Sequence, residues 1–339
     1  MKLSIIIPTY NRSQLLSHTL QSIADQIIQE AFEVIVIDNG SNDNTKDIVD
    51  FHLSRIQNLI YMYDAVPGLL TGRHCGVKLS KGEILCFIDD DVILDKHYAS
   101  NLIKSFEKQP SLHLATGPSL PNYEVSPPEW LTYFWESNNS FNHCSWLSLL
   151  DFGTNEVTID PNFVWGLNFC IRKKSLIECG GFHPDCMPSE LQEFQGDGET
   201  GLTLKARDKA MMAKYIPTLK LYHFVPATRL TVDYFKKRAF YQGVCNSFTA
   251  LRNPAIEYKR SIRDRLHPYY RWIKHIFLKK QKREVPIHIE VIQEELRISQ
   301  LEGYQFHQQK FLSNQSVKDW VLRDSYWDYK LPNQTSLIN

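Results

Sequence analysis

Ile84-Leu85-Cys86-Phe87-Ile88-Asp89-Asp90-Asp91 decides how this chain is read: five apolar residues run straight into three consecutive carboxylates. A strand buried on both faces of a parallel sheet reads as an unbroken apolar run, whereas a half-solvated strand alternates. Open α/β sheets bind ligands outside the carboxyl ends of such strands, so the three acids are expected at the mouth of a site. Carboxylates crowded together repel, and a hard divalent cation with oxygen ligands, Mg²⁺ or Mn²⁺, relieves the crowding. The stretch predicts a phosphate ligand held through a metal.

The segments before it repeat the theme. Leu3 to Pro8, Glu33 to Asp38 and Leu59 to Tyr63 read as strands. Between them Ser13 to Gln26, Asn44 to Leu53 and Leu70 to Leu79 read as helices, the first with Leu15, Leu16, Leu20 and Ile23 on one stripe. With Glu83 to Ile88 this makes a βαβαβαβ alternation, which predicts the α/β class: a Rossmann-like, mostly parallel sheet flanked by helices and joined by right-handed crossovers. The strands end in Thr9-Tyr10-Asn11, in Asp38-Asn39-Gly40-Ser41 and in the three acids, so one rim is expected to collect them all.

From 117 to 163 the texture changes to prolines and aromatics with little period, among them Pro127, Pro128, Trp130, Tyr133, Phe134 and Trp135. A long irregular stretch in a compact domain commonly covers or binds something, and this one is a candidate flap. Val164 to Ile171 then reads as a strand, Lys173 to Cys179 as a helix stopped by Gly180-Gly181, and Gly201 to Lys209 as another helix. The boundaries expected are a catalytic domain over 1–250, with halves 1–116 and 117–250, and a helical basic extension over 251–339.

Composition narrows the classes. At 339 residues and 43% hydrophobic the chain can bury a sizeable core. Lys plus Arg equals Asp plus Glu at 38 each, which argues against a general nucleic-acid binder. The balance hides a local excess: residues 259–283 hold ten Lys/Arg and one acid, Asp264, interleaved with Tyr269, Tyr270, Trp272, Ile273, Ile276 and Phe277. Such a segment suits an anionic membrane surface, and equally a solvated helix that packs its apolar stripe on the protein. The seven cysteines are odd in number and form no CxxC pair, which points to free thiols in a reducing compartment. No window approaches the ~20 apolar residues that span a bilayer. A cytoplasmic protein, peripheral at the inner membrane face if the basic segment binds lipid, is the expectation.

From Leu3 to about Ala206 the chain resembles glycosyltransferase family 2, the nucleotide-sugar-dependent transferases of the GT-A fold, through several motifs in register. Ser4-Ile5-Ile6-Ile7-Pro8-Thr9-Tyr10-Asn11-Arg12 is similar to the family's first strand and turn. The resemblance gives Pro8, Thr9, Tyr10 and Arg12 to the nucleotide, with Tyr10 free to stack on the base. Val34 to Asp38 is similar to the second strand, whose terminal acid, here Asp38, reads base or ribose; Asp43 and Thr45 read better as helix caps. Gly68 to Val77 resembles the helix that brings an Arg, here Arg73, toward Asp89 or a phosphate oxygen, although His74 stands where Asn is common.

The acid triplet matches the family's Asp-x-Asp motif. By that resemblance Asp89 faces the ribose, Asp91 binds the metal, and Asp90 points back or assists. Val164-Trp165-Gly166-Leu167-Asn168 with Gly180-Gly181-Phe182 is similar to the acceptor-side strand and turn, where Trp165 offers a flat face to a sugar or simply fills the core. Gly196-Asp197-Gly198-Glu199 stands at the place of the catalytic base, Glu199 on one matching and Asp197 on the other; one of them also suits the following helix's dipole. His223, in Leu221-Tyr222-His223-Phe224-Val225, stands where some relatives complete the metal shell.

What the resemblance implies is a metal-dependent, inverting transfer of a sugar from a UDP-, GDP- or dTDP-sugar to a glycan or lipid-linked acceptor hydroxyl. A nucleotidyltransferase of related fold would want a Gly-rich phosphate loop after the first strand, and Pro8-Thr9-Tyr10-Asn11-Arg12 is not one. A non-catalytic nucleotide-sugar-binding protein is the other alternative.

Overall fold

The computed structural model describes residues 1–66, 68–138, 141–253, 285–329 and 331, which divide into two compact units. The first comprises Met1–Gln192, Gly198–Thr231 and the chain from Ser325 onward; the second comprises Glu193–Asp197 and Val232–Asp324.

The first unit is built on two sheets. Its early strands are β1 (Leu3–Thr9), β2 (Phe32–Asp38), β3 (Leu59–Tyr63), β4 (Ile84–Ile88), β5 (Val92–Leu94), β6 (Leu112–Thr116) and β7 (Ser119–Tyr123). The later ones are β8 (Glu136–Asn138), β9 (Phe141–Cys144), β10 (Leu149–Asp151), β11 (Val157–Ile159), β12 (Asn168–Arg172), β13 (Met212–Tyr215) and β14 (Leu221–Val225). The large sheet runs β11-β13-β6-β12-β4-β1-β2-β3 and the smaller one β5-β14-β7-β10-β9-β8. In the large sheet β4, β1, β2 and β3 are parallel, as are β13 and β6, while β12 runs antiparallel between β4 and β6. Helices α1 (Ser13–Ala24), α2 (Thr45–His52), α3 (Leu69–Leu79), α4 (Tyr98–Lys108), α5 (Lys173–Glu178) and α6 (Glu199–Asp208) complete the α/β unit.

Register explains the shared rim. Thr9 lies opposite Asp38, and Asp38 opposite Tyr63, so the first three parallel strands end level. In β4 every side chain is buried, and full burial of each large apolar one stabilises by about 1.5–3 kcal/mol. That gain lets the strand carry three charges at its end. Helix α3 lies close on this sheet because a side chain at Gly72 would meet Asn39 and Pro8, and one at Gly76 would run into Ile6. Close approach holds Arg73, between these glycines, over the strand ends.

A late segment also belongs to this unit. Trp327 stacks on His74 with ring centroids 4.0 Å apart, Lys78 donates to Trp327 O (2.8 Å) and pairs with Asp328 (3.0 Å), and the Tyr329 and Thr71 hydroxyls are bonded. His74 is thereby a packing residue: its Nε2 accepts the Phe182 N–H at 2.9 Å, and burial drives its pKa down to about 3. The stretch 117–163, expected to be irregular, supplies β7 to β11. Strands of three to five residues show no usable period, and β7 pairs with the distant β14.

The second unit is helical: α7 (Val232–Arg252), α8 (Ile287–Ser313) and α9 (Gln315–Val321). His307 of α8 meets Ser247 of α7 at 2.8 Å, and Trp320 Nε1 donates to Phe194 O at 2.7 Å. The basic segment 259–283 lies outside the described residues. Among the described residues no helix is long and apolar enough to cross a membrane.

Candidate active site

The three acids divide their duties through their neighbours. Asp90 accepts from Thr9 Oγ1 (2.7 Å) and Arg12 Nη1 (2.6 Å), which turns it back against the end of β1. Asp91 has Arg12 Nη2 at 3.0 Å, Arg229 Nη2 at 3.2 Å and His223 Nε2 at 3.5 Å. Neither of its oxygens receives a well-aligned hydrogen bond from any described residue. Asp89 is half-buried beside them. Burial, together with Asp91, raises the Asp89 pKa; burial raises Asp90 to about 6 against the pull of Arg12. Burial would raise Asp91 too, but His223, Arg12 and Arg229 outweigh it and hold that carboxyl well below the usual range. One acid of the triplet is therefore firmly anionic in a pocket of cations.

His223 is held at both ring nitrogens. Its Nδ1 lies 3.0 Å from the Leu147 carbonyl, which can only accept, and its Nε2 lies 2.9 Å from Arg229 Nη1, which can only donate. Its Nε2 thus faces both Arg229 and, at 3.5 Å, Asp91. Anchoring Nδ1–H on a carbonyl is how metal-binding imidazoles are oriented. No group of three or more metal-ligating side chains gathers among the described residues. Mg²⁺ and its relatives keep waters and take substrate phosphates besides one or two protein donors, so a carboxylate and an imidazole fit a hard divalent cation shared with a diphosphate.

Glu199 opens α6, because Gly198 ahead of it takes φ 55° and ends the preceding chain sharply. The helix starts two residues earlier than its sequence pattern indicates, and Glu199 stands in its first turn. There its carboxylate receives Arg73 Nη1 and the Gly166 N–H, each at 3.1 Å. Arg73 thus pairs with Glu199 and not with Asp89. It is buried, lies 4.9 Å from the Phe182 ring centroid, and although burial opposes its charge, Glu199, Asp185 and Asp89 keep its pKa raised. A side chain at Gly166 would run into the Arg73 guanidinium, which would have to shift. This turn also delays β12, which begins at Asn168 and not at Val164. Asp197 falls in the helical unit, where Thr249 Oγ1 donates to it at 2.7 Å.

The nucleotide-side residues are spread along the rim. Tyr10 is 59% exposed and Pro8 precedes the buried Thr9. Asn11, at φ 53°, ties this turn to the next by accepting Asn42 N–H at 2.8 Å. Asp38 is buried and accepts Ser41 N–H (2.7 Å) and Tyr61 O–H (2.8 Å), which orients it and leaves further lone pairs. Asp43 accepts Thr45 N–H and the Ser13 N–H, a turn-shaping role. Trp165 is half-buried, with Nε1 on Asn162 O at 2.9 Å. Tyr61 was not singled out by motif; strand register alone places it beside Asp38.

With this geometry in view, comparison with known proteins is direct. The sequence profile described as Glycosyl transferase family 2 matches residues 4–178, just over half of the chain. The chain belongs to glycosyltransferase family 2. Among family relatives, validoxylamine A glucosyltransferase of Streptomyces hygroscopicus subsp. jinggangensis is 26% identical over 205 residues, covering 54% of this chain and 47% of that protein. Glucosyl-dolichyl phosphate glucuronosyltransferase of Haloferax volcanii is 22% identical over 284 residues, 82% of each. The chain spans less than half the length of the Streptomyces relative. Mannosyltransferase PcManGT of Pyrobaculum calidifontis, solved with GDP-Man and Mn²⁺, superposes over 92% of this chain and 75% of its own with a TM-score of 0.51 at 16% identity. That likeness concerns the GT-A fold.

Proposed function

We propose that the chain is a metal-dependent, inverting glycosyltransferase that moves a sugar from a nucleotide-sugar donor to an acceptor hydroxyl in polysaccharide or glycoconjugate assembly. The observation that carries this reading is the clamp on Glu199: a carboxylate at a helix start, aimed by a buried Arg73 and a backbone N–H, in the same unit as the acid rim. Glu199 takes the proton of the acceptor hydroxyl as it attacks the anomeric carbon, and attack opposite the leaving diphosphate inverts that centre. Asp197, engaged by Thr249, is the second candidate for the base.

On the donor side, Tyr10 stacks on the base, Asp38 and Asp89 take the hydroxyls or base N–H, and Arg12 and Arg229 meet diphosphate charge. Asp91 and His223 would hold Mg²⁺ or Mn²⁺, whose chemistry is stabilisation of the departing nucleoside diphosphate. A neighbour of the same fold binds GDP-Man with Mn²⁺, and a relative acts on a glucosyl-dolichyl phosphate, which supports a nucleotide-sugar donor and a glycan or lipid-linked acceptor here.

The test is a thermal-shift panel of UDP-, GDP- and dTDP-sugars with and without Mn²⁺, followed by transfer assays. One donor is expected to raise Tm, more so with Mn²⁺, since a ligand of the folded state stabilises it. Glu199→Gln is expected to keep that shift and lose about 10²–10⁴-fold in transfer. Asp91→Asn is expected to lose the Mn²⁺ increment. A flat panel would overturn the reading; unchanged transfer in Glu199→Gln would remove Glu199 as base; a shift with neither transfer nor donor hydrolysis would favour a binding protein.

A further inference from the structure

Away from the acid rim, the smaller sheet and the chain around β11 line an open cavity of about 450 Å³. Its walls include Phe141, Phe152, Phe163 and His143. Phe141 meets Phe152 edge-on at 4.7 Å, Phe152 meets Phe163 at 5.3 Å, and His143 meets Phe163 at 5.5 Å. Two carboxylates, Glu136 and Asp160, and two hydroxyls, Ser137 and Thr158, complete the lining. His143 Nδ1 is buried and forms no hydrogen bond with any described residue, while its Nε2 lies 3.6 Å from Glu136.

This lining selects its occupant. A pyranose presents a flat C–H face that packs on aromatic rings and a ring of hydroxyls that donate to carboxylates and to an imidazole nitrogen. A phosphate ester would face two carboxylates, and an acyl chain would leave the buried His143 Nδ1 without a partner. The volume falls within the range of small-molecule pockets.

Position adds a second constraint. The His143 ring lies 5.8 Å from that of Trp165, and the next residue, Gly166, donates the N–H that holds Glu199. The cavity is thus joined through one residue to the clamp on the base. We infer that it binds the sugar neighbouring the one that is glycosylated, so that the acceptor is a chain of at least two sugars. This inference rests on the reading of Glu199 as the base.

The labelled full-length protein on a glycan array of mono-, di- and trisaccharides of common hexoses and hexosamines tests it, with dodecyl phosphate presented alongside. Binding to a di- or trisaccharide at least ten-fold stronger than to its component monosaccharides, and lost in both Phe163→Ala and the exposed-site variant Glu136→Gln, is expected. Equal binding of mono- and oligosaccharides overturns the inference, as does oligosaccharide binding that survives both variants. So does capture of dodecyl phosphate that Phe163→Ala abolishes. Donor-induced thermal shift on the same preparations separates the two readings: a shift without oligosaccharide binding rejects the cavity's role alone, and its absence rejects the transferase reading.

Discussion

At the scale of single residues, the site works by controlling where charges point. Glu199 owes its aim to two donors from different parts of the chain, the Arg73 guanidinium and the Gly166 N–H. Gly166→Ala forces the Arg73 guanidinium aside and brings a Cβ to 3.4 Å from Glu199 Oε1. Because ångström-scale misplacement of a catalytic group costs on the order of 10²-fold, transfer should fall about that much while the donor-induced thermal shift persists. Wild-type turnover in that variant would show that the clamp is dispensable. The same economy appears at Asp91, where two guanidiniums and an imidazole surround one buried carboxylate. Removing either arginine leaves charge less compensated in a dry site, which is why neither counts as a surface ion pair.

At the scale of elements, α3 links the site to stability. His74 must stay neutral to accept the Phe182 N–H, and its folded pKa of about 3 lies far below the 6.5 of an unfolded histidine. The stability it supports is present above pH 6.5 and is lost as pH falls from there toward 3, by up to about 1.4 kcal/mol per pH unit. His307, lowered to about 4 by burial in the helical unit, acts in the same direction. Urea midpoints should therefore drop between pH 7 and pH 5, and His74→Gln should flatten part of that slope; a slope untouched by the substitution would mean that other groups carry it. Elements also show what a sequence can disclose. β1, β2 and β4 were legible because fully buried strands leave apolar runs, and their polar ends because charges cannot enter such runs. The five strands of 117–163 were not, since each is shorter than the pattern needed to see it, and β7 and β11 pair with β14 and β13 far along the chain. Arg73 was legible as a candidate site residue, but its partner was not: choosing Glu199 over Asp89 depends on the turn at Gly166.

At the scale of the whole molecule, an even charge balance coexists with ten basic residues in 259–283. If that segment meets a membrane, the protein should sediment with phosphatidylglycerol vesicles at low salt and release at about 0.5 M salt, where the Debye length falls well under 10 Å. Absence of sedimentation at low salt would assign those charges to a solvated surface. The segment from Ser325 onward has a different consequence. His74 and Tyr326 are 252 positions apart, and at about 5–20 residues per second roughly 13–50 s of synthesis separate them. Throughout that interval the rim of β1, β2 and β4 can already be paired, yet the ring that will stack on His74 has not been made. The helix bearing Arg73, drawn from the first third of the chain, is therefore among the last parts to reach its final environment, and a nascent chain halted before residue 325 presents that face of α3 to chaperones and proteases.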